Sequence, residues 1–160
     1  MISRTIRDLS VTALFLCLPL CISCSQSANL PQPLTPAATL EVFAASSTST
    51  PKSRQASDPN TGAPIYLVQP PIVAAADVAT VSRSDQTPNE PSLGVQLTPA
   101  GAAKMTAATT PANGQQVAIL ANGKVVGVMK AHTPIGASFV VSGGNLRKDR
   151  EAIFSALTGR

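Results

Sequence analysis

The stretch that decides the fold class is residues 117–129, VAILANGKVVGVM, in which two apolar, β-branched runs are joined by Asn122 and Gly123. Adjacent Asn and Gly residues readily adopt the positive φ angles of a type I′ turn, whose twist matches that of two antiparallel strands. The sequence therefore predicts a β-hairpin at this point. The hairpin carries no catalytic chemistry, so it indicates the architecture of the region and not its activity.

Regular patterns on both sides of the hairpin extend this architecture. We predict strands at 39–44, 65–68, 93–97 and 137–141, a short helical turn at 74–78, a helix from Thr98-Pro99 to about 109, and a last helix after residues 142–145. Ala102 and Met105 mark the buried side of the first helix, and Leu146, Ile153 and Leu157 share one face of the last. This order predicts an α+β fold, a mainly antiparallel sheet with two helices packed on one face.

Composition limits the size of the core and the class of partner. The chain has 160 residues, 44% of them hydrophobic but only 3% aromatic, with 14 prolines, so it supports one small core rich in Ala and Val. The net charge is +4, and residues 1–23 contribute two arginines and one aspartate (+2 − 1 = +1), which leaves +3 for the remainder. That excess is too weak to indicate a nucleic-acid partner.

The N-terminus has the pattern of a signal peptide. Arg4 and Arg7 form a basic region, residues 11–22 are mostly apolar, and Ser23 precedes Cys24. The apolar segment is shorter than the roughly 20 residues that span a bilayer, so an uncleaved anchor is the weaker alternative. Every cysteine lies at or before position 24, so we expect no disulfide in the folded part.

The end of this segment resembles a bacterial lipobox, whose cysteine receives diacylglycerol and becomes the first residue of the mature lipoprotein. Cys21 lies where that motif prefers Leu, so ordinary signal peptidase cleavage nearby is the alternative. We favour lipid attachment at Cys24 because a Ser/Pro-rich stretch follows at once. By the same resemblance, Ser25 favours the outer membrane over the inner one. We therefore expect an exported protein, lipid-anchored on the periplasmic face of a bacterial membrane.

The chain divides into three parts on this interpretation. They are a signal peptide at 1–23, a Ser/Pro-rich tether at 24–37, and a domain at 38–160 with a long disordered loop at about 46–63. A structureless loop of that length is unusual inside a compact domain. It therefore leaves open whether the strand at 39–44 joins the core sheet.

Several segments of the domain occur in the order seen in one family. They are Pro64-Ile65-Tyr66-Leu67, Ala76-Asp77-Val78, Leu97-Thr98-Pro99-Ala100-Gly101-Ala102, residues 117–126, and Glu151-Ala152 with Leu157 and Gly159. On these residues the chain, from about 39 to 160, resembles the head subdomain of the first periplasmic domain of SecD, a part of the SecDF protein-export machinery. The resemblance implies an extracytoplasmic domain that helps to capture an emerging preprotein. It does not transfer proton-driven energy coupling, because that role belongs to intramembrane carboxylates and the sequence predicts no membrane helices to hold them.

The function that we expect is that of a non-catalytic binding or adaptor module. Its expected partners are the membrane, through the N-terminal lipid, and unfolded polypeptide or translocon components, through an exposed sheet edge or groove. The alternative is a structural envelope lipoprotein that reuses the fold without a role in secretion.

The residues of the domain give little support to an enzyme. His132 is the only histidine, and Ser138, Ser142 and Asp149 supply the residue types of a hydrolase without a motif such as G-x-S-x-G. One histidine and scattered carboxylates also lack the spacing of metal ligands. We therefore expect no catalytic residues, no metal and no cofactor.

Two places are candidates for contact with a partner. Five residues at the start of the last helix form a candidate anion or partner contact: Gly143, Gly144, Asn145, Arg147 and Lys148. Free amides and basic side chains there suit a lipid phosphate or a peptide carboxylate, and the alternative is a solvated face on which Arg147 pairs with Glu151. Tyr66, the only tyrosine, is a candidate wall of a peptide groove, with packing in the core or at its rim as the alternative.

Mass spectrometry of the mature N-terminus tests the predicted anchor. We expect the protein to begin at Cys24 and to carry the mass of a diacylglyceryl group, and we expect Cys24→Ser to abolish that mass. An unmodified residue other than Cys24 at the mature N-terminus would rule the anchor out.

Overall fold

The computed structural model of the chain describes residues 29–84, 90–110 and 115–160, so the predicted signal peptide and the predicted lipid attachment at Cys24 lie outside the described residues. The elements in chain order are β1 (Leu40–Ser46), β2 (Ser53–Ser57), β3 (Pro64–Val73), a 3-10 turn (Ala75–Asp77), β4 (Val78–Ser84), β5 (Ser92–Leu97), α1 (Pro99–Thr109), β6 (Gln115–Ala121), β7 (Lys124–Ala131), β8 (Ser138–Ser142) and α2 (Leu146–Thr158). The predicted α+β class with a mainly antiparallel arrangement of strands is confirmed.

The predicted hairpin is formed by β6 and β7. Asn122 and Gly123 have φ angles of 47° and 79°, and Ala121 pairs with Lys124 across the turn. Asn122 is also hydrogen-bonded to Thr39, just before β1. Its backbone N–H donates to the carbonyl of Thr39 at 2.8 Å, and its side-chain oxygen accepts from the N–H of Thr39 at 2.9 Å. The turn therefore joins two strands and also fixes the start of a third.

The strands form two sheets, and the expectation of a single sheet is wrong. A five-stranded sheet has the order β2-β3-β1-β6-β7, and a three-stranded sheet has the order β4-β5-β8. The chain leaves the first sheet after Val73 and passes through the 3-10 turn into β4, which pairs with β5. β1, whose place in the core the sequence pattern does not decide, lies in the middle of the larger sheet between β3 and β6.

Both faces of the five-stranded sheet are apolar at its centre. One face, with residues such as Val42 and Ile119, joins both helices and the three-stranded sheet in the main core. The opposite face carries a second apolar cluster, which consists of Phe43, Ala45, Ile65, Leu67, Ala118 and Leu120. The central strands therefore read as nearly continuous apolar runs, as strands buried on both faces do.

The predicted disordered loop at about 46–63 is wrong, because it contains β2. This strand pairs in antiparallel register with β3. The turn between them is ordered by Asp58, whose carboxylate accepts from the N–H of Asn60 at 2.9 Å and from the hydroxyl of Thr61 at 3.0 Å, while Gly62 takes a φ of 72°. Residues that are common in linkers here serve as the turn residues of a hairpin.

The described part of the predicted tether lies against the domain. The backbone N–H of Gln32 donates to the carbonyl of Val81 at 2.7 Å and the N–H of Val81 donates back at 2.7 Å. The N–H of Thr35 donates to the carbonyl of Leu157 at 2.9 Å, and Leu34 packs on the main core. The domain therefore includes residues before position 38.

The start of α1 and the buried faces of both helices agree with the sequence prediction, except that Phe154 was not predicted to be buried. Thr98 caps α1, accepting from the N–H of Gly101 at 3.2 Å, and Met105 is fully buried. In α2, Leu146 and Leu157 are buried and Ile153 packs against the core at its edge. Besides the residues predicted to share the buried face of α2, its Phe154 is also buried and is the largest fully buried side chain among the described residues.

Asp77, at the end of the 3-10 turn, fixes the position of α1. Both of its carboxylate oxygens lie 2.8 Å from Nζ of Lys104, and one accepts from the N–H of Ala74 at 3.0 Å. The hydrogen bond from Lys104 is the largest cause that holds the pKa of Asp77 below its ordinary value of 3.8, against the opposing effect of burial. The backbone carbonyl of Asp77 accepts from the N–H of Thr98 at 2.8 Å. A Cβ atom at Gly101 would lie only 2.5 Å from that carbonyl oxygen.

We predict that Gly101→Ala destabilises the protein by about 1–3 kcal/mol, because the added methyl group overpacks the contact between α1 and Asp77. Helix propensity alone predicts the opposite sign, since Ala is favoured over Gly by about 1 kcal/mol in a helix. Ala103→Gly, at an exposed position of the same helix, is the matched control for propensity. Urea unfolding measures both variants, and a Gly101→Ala protein as stable as the wild type would contradict the packing.

Acid unfolding tests the Asp77 contacts. Because the folded-state pKa of Asp77 is lowered, its contribution to the free energy of unfolding is present above pH 3.8 and is lost as the pH falls toward the folded-state pKa. We expect Asp77→Asn to be less stable than the wild type by about 1–2 kcal/mol at pH 7. This difference should shrink below about pH 3.8. A difference that stays constant down to pH 2 would contradict the prediction.

Candidate functional site

Two grooves meet at the tip of the β6–β7 hairpin, and Lys124 and Asn145 line both of them. The hairpin–helix groove, about 470 Å³, lies between the hairpin and α2 and is lined by Ala121, Asn122, Lys124, Val126, Asn145, Asp149, Ala152, Ile153 and Ala156. The hairpin–strand groove, about 380 Å³, lies between the hairpin and β2 and is lined by Arg54, Gln55, Ala56, Ser57, Leu67, Gly123, Lys124, Val125 and Asn145. The element that decides the fold class therefore also forms one wall of both grooves.

The hairpin–helix groove combines an apolar wall with charged groups. Ala152 and Ala156 are exposed on α2, one helical turn apart, and the half-buried Ile153 lies beside them. Small side chains leave the helix surface open to close approach. Lys124 and Asp149 place one cation and one carboxylate among the lining residues. Such a mixed lining suits a ligand that has both apolar and polar groups.

The hairpin–strand groove is more basic. Arg54 on β2 and Lys124 at the hairpin both line it, and Leu67 and Val125 supply apolar surface. The guanidinium of Arg54 also lies 5.9 Å from the ring centroid of Phe43, so it covers part of the second apolar cluster. The groove therefore adjoins the face of the five-stranded sheet that carries the second apolar cluster.

The glycines predicted to contact an anion instead make contacts within the domain. The N–H of Gly144 donates to the side-chain oxygen of Asn60 at 2.7 Å, and a Cβ atom at Gly144 would lie 2.6 Å from the carbonyl of Val126. Asn145 occupies the N-cap position of α2 without a capping bond from its side chain, which donates to the carbonyl of Val125 at 2.8 Å. These residues tie the start of α2 to the hairpin and to the β2–β3 turn.

The basic residues of the same prediction differ in their surroundings. Arg147 donates to a carboxylate oxygen of Glu90 at 3.1 Å, so the alternative pairing with Glu151 is wrong. Lys148 is exposed. Anion binding at this helix start stays a prediction, and an anion there would compete with the oxygens of Asn60 and Glu90 for donors.

Tyr66 is half-buried on β3, where its neighbours in register are Ser46 and Gln55. It alternates with Ile65 and Leu67, which belong to the second apolar cluster, so it lies on the other face of the strand. Tyr66 lines neither groove at the hairpin. Its candidate role in a peptide groove therefore stays a prediction without support from these two sites.

Sequence reasoning missed the contacts that hold α2 in place. The guanidinium of Arg83 on β4 lies 3.9 Å from the ring centroid of Phe154, and its Nε donates to a carboxylate oxygen of Glu151 at 2.8 Å. Arg150 donates to the other oxygen at 3.1 Å. The hydrogen bond from Arg83 is the largest cause that lowers the pKa of Glu151 below its ordinary value of 4.5, against the effect of burial. The sequence does carry one signal for these contacts, because Phe154 lies three residues before Leu157 and therefore on the same buried face of α2.

The residue types considered for catalysis lie at exposed positions. His132 is exposed in the segment after β7, and Ser138 and Ser142 are exposed at the two ends of β8. Across residues 29–84, 90–110 and 115–160, no group of three or more His, Cys, Asp or Glu side chains is placed to hold a metal ion. In the same ranges, no helix has the length and apolar character needed to cross a membrane.

The chain also matches the model of one protein family. The model of the SecDF P1 head subdomain matches residues 49–156, which is more than half of the chain. The chain therefore belongs to the SecDF P1 head family, as the ordered sequence segments indicated. The P1 head is a periplasmic part of SecDF, and the family relates this chain to protein export.

Two solved structures of SecDF have a similar fold. One is a structure of SecDF, described as a membrane component that enhances protein export. It is 17% identical to this chain with a TM-score of 0.55, and the aligned region covers 79% of this chain and 63% of the SecDF chain. The other is a crystal structure of SecDF in a super-membrane-facing form. Its identity, TM-score and coverage of this chain are the same, but the aligned region is only 19% of that longer SecDF chain. The chain thus spans less than two thirds of either protein, and the likeness shows the fold alone. No curated protein sequence matches the chain.

Proposed function

We propose that this chain is a non-catalytic, extracytoplasmic binding module that holds extended polypeptide in support of protein export. The observation that carries the proposal is the hairpin–helix groove, in which Ala152, Ile153 and Ala156 offer apolar surface beside Lys124 and Asp149. An unfolded polypeptide presents apolar side chains, polar side chains and backbone groups within a few residues of one another. A groove of mixed lining can contact all three without requiring a particular sequence.

The packing around the groove supports this role because it fixes where α2 lies relative to β4 and the hairpin. Arg83, Phe154 and Glu151 hold α2 on β4, and Asn145 joins the start of α2 to the hairpin. A wall that is already in place does not have to be ordered when a ligand binds, which lowers the entropic cost of binding. The family membership supports export as the setting in which such a ligand is met.

The proposal also includes the location of the module. A signal peptide at 1–23 would export the chain, and lipid at Cys24 would hold it on the periplasmic face of the outer membrane. Its partners would then be the membrane, through the lipid, and polypeptides or translocon components, through the grooves. No enzyme activity, metal or cofactor is part of this function.

Filling the groove tests the proposal. We expect Ala156→Trp to weaken the binding of a fluorescently labelled, unfolded preprotein by about tenfold, because the indole occupies the space beside Ile153. The position is exposed, so we expect the variant to fold like the wild type, which circular dichroism and thermal unfolding check.

Ala107→Trp is the matched control, since Ala107 is exposed on α1 and does not line either groove. It should bind the preprotein like the wild type. Unchanged binding by Ala156→Trp would exclude the hairpin–helix groove as the binding site, and a wild-type protein that binds no unfolded polypeptide would overturn the function itself.

A further inference from the structure

The outer edge of β4 is already occupied by a segment of the same chain. Residues 29–35, here called the resident strand, run beside it, and Gln32 exchanges two backbone hydrogen bonds of 2.7 Å with Val81. On its other side β4 pairs with β5, so the resident strand extends the three-stranded sheet by one partial strand. The outer edge of β4 therefore already exchanges backbone hydrogen bonds with another segment of the same chain, at one position.

The sequence of the resident strand limits how well it can occupy this edge. Gln32 and Val81 form an isolated pair, whereas β4 is seven residues long and pairs with β5 at six positions. Because backbone groups alternate along an extended strand, those of Pro31 and Pro33 point away from β4 while those of Gln32 point toward it. Proline has no N–H, so the resident strand covers the edge without offering a new edge of donors to a further strand.

A broad groove adjoins this edge on the outer face of the three-stranded sheet. It has a volume of about 890 Å³ and is lined by Asn29 and Pro31 of the resident strand and by residues of the sheet. Most of the sheet residues are small or polar, such as Ser82, Gly94 and Ser138, and the others include the apolar Val95, Phe139 and Val140. A Cβ atom at Gly94 would lie 2.7 Å from the hydroxyl oxygen of Ser82, so glycine keeps this part of the floor open. Side chains of many kinds can lie over such a floor.

We propose that the outer edge of β4 is a strand-addition site for extended polypeptide, from which the bound polypeptide displaces the resident strand. The inference rests on the proposed function and adds a second contact surface to it. Recognition at this edge uses backbone hydrogen bonds, with alternate side chains of the ligand directed over the groove, so it depends little on the ligand's sequence. A polypeptide without prolines can pair with β4 at several positions, where the resident strand pairs at one.

A substitution at Gln32 separates the backbone contact from the side chain. Gln32→Pro removes the N–H that donates to Val81, and Gln32→Ala keeps it. The probe is a fluorescein-labelled ten-residue peptide of alternating Thr and Val, and the same peptide with alternate amides N-methylated is its control. We expect the Gln32→Pro protein to bind the probe about fivefold more tightly than the wild type, the factor that corresponds to one backbone hydrogen bond. The Gln32→Ala protein should match the wild type, and the N-methylated peptide should bind to none of them.

Amide hydrogen exchange gives a second measurement on the wild-type protein. The N–H of Gln32 is hydrogen-bonded in the free protein, so its exchange should become faster when the probe displaces the resident strand. Equal affinities of the Gln32→Pro and Gln32→Ala proteins, or unchanged exchange at Gln32 in the probe complex, would overturn strand addition at β4.

The two proposals fail in different ways. If Ala156→Trp weakens preprotein binding while Gln32→Pro leaves probe affinity unchanged, binding in the hairpin–helix groove stands and strand addition at β4 falls. If the wild type binds neither the unfolded preprotein nor the probe, both are wrong.

Discussion

The turn at Asn122 and Gly123 is the constraint on which the rest of the structure depends. A single asparagine adopts the positive φ angle that reverses the chain and also exchanges two hydrogen bonds with Thr39 at the start of β1. These hydrogen bonds place β1 beside β6, and β3 pairs with the other edge of β1, followed by β2. The same turn places Lys124 where the two hairpin grooves meet. Fold and candidate site therefore depend on the same few atoms.

The elements that could be predicted from the sequence are those with strong local signals. The Asn-Gly turn, the Thr98-Pro99 helix start and the apolar positions of both helices depend on neighbours within a few residues. The elements that were missed depend on distant partners. The strand β2 was hidden in a Ser/Thr-rich stretch because its pairing with β3 leaves little local pattern, and the docking of Gln32 depends on Val81, far along the chain.

The candidate site was predictable in part and for related reasons. The sequence drew attention to Gly143, Gly144 and Asn145, and Asn145 does line both hairpin grooves. Their amides and side chains were expected to face a ligand, yet Gly144 bonds to Asn60 and Asn145 bonds to Val125. Only the tertiary structure brings those acceptors to the helix start. The small exposed residues of α2 gave no signal of their own, because an exposed alanine on a helix is unremarkable until a second wall faces it.

Membership of the SecDF P1 head family gives these surfaces a setting in protein export. As proposed, the hairpin–helix groove and the edge of β4 would bind extended polypeptide by different means, the first through side chains and the second through the backbone. α2 connects them physically, since its wall lines the groove while Leu157 receives the hydrogen bond from Thr35 of the resident strand. A module of this kind would hold many sequences weakly and none selectively, which suits a protein that meets unfolded chains.

The most direct test of polypeptide binding is site-specific photo-crosslinking in export-active cells, with the photoreactive side chain at position 152 in the hairpin–helix groove. Binding of exported polypeptide predicts crosslinks to preproteins or translocon components from position 152, and none from position 107 on the exposed face of α1. Crosslinks to structural envelope proteins alone, or equal labelling from both positions, would contradict the account.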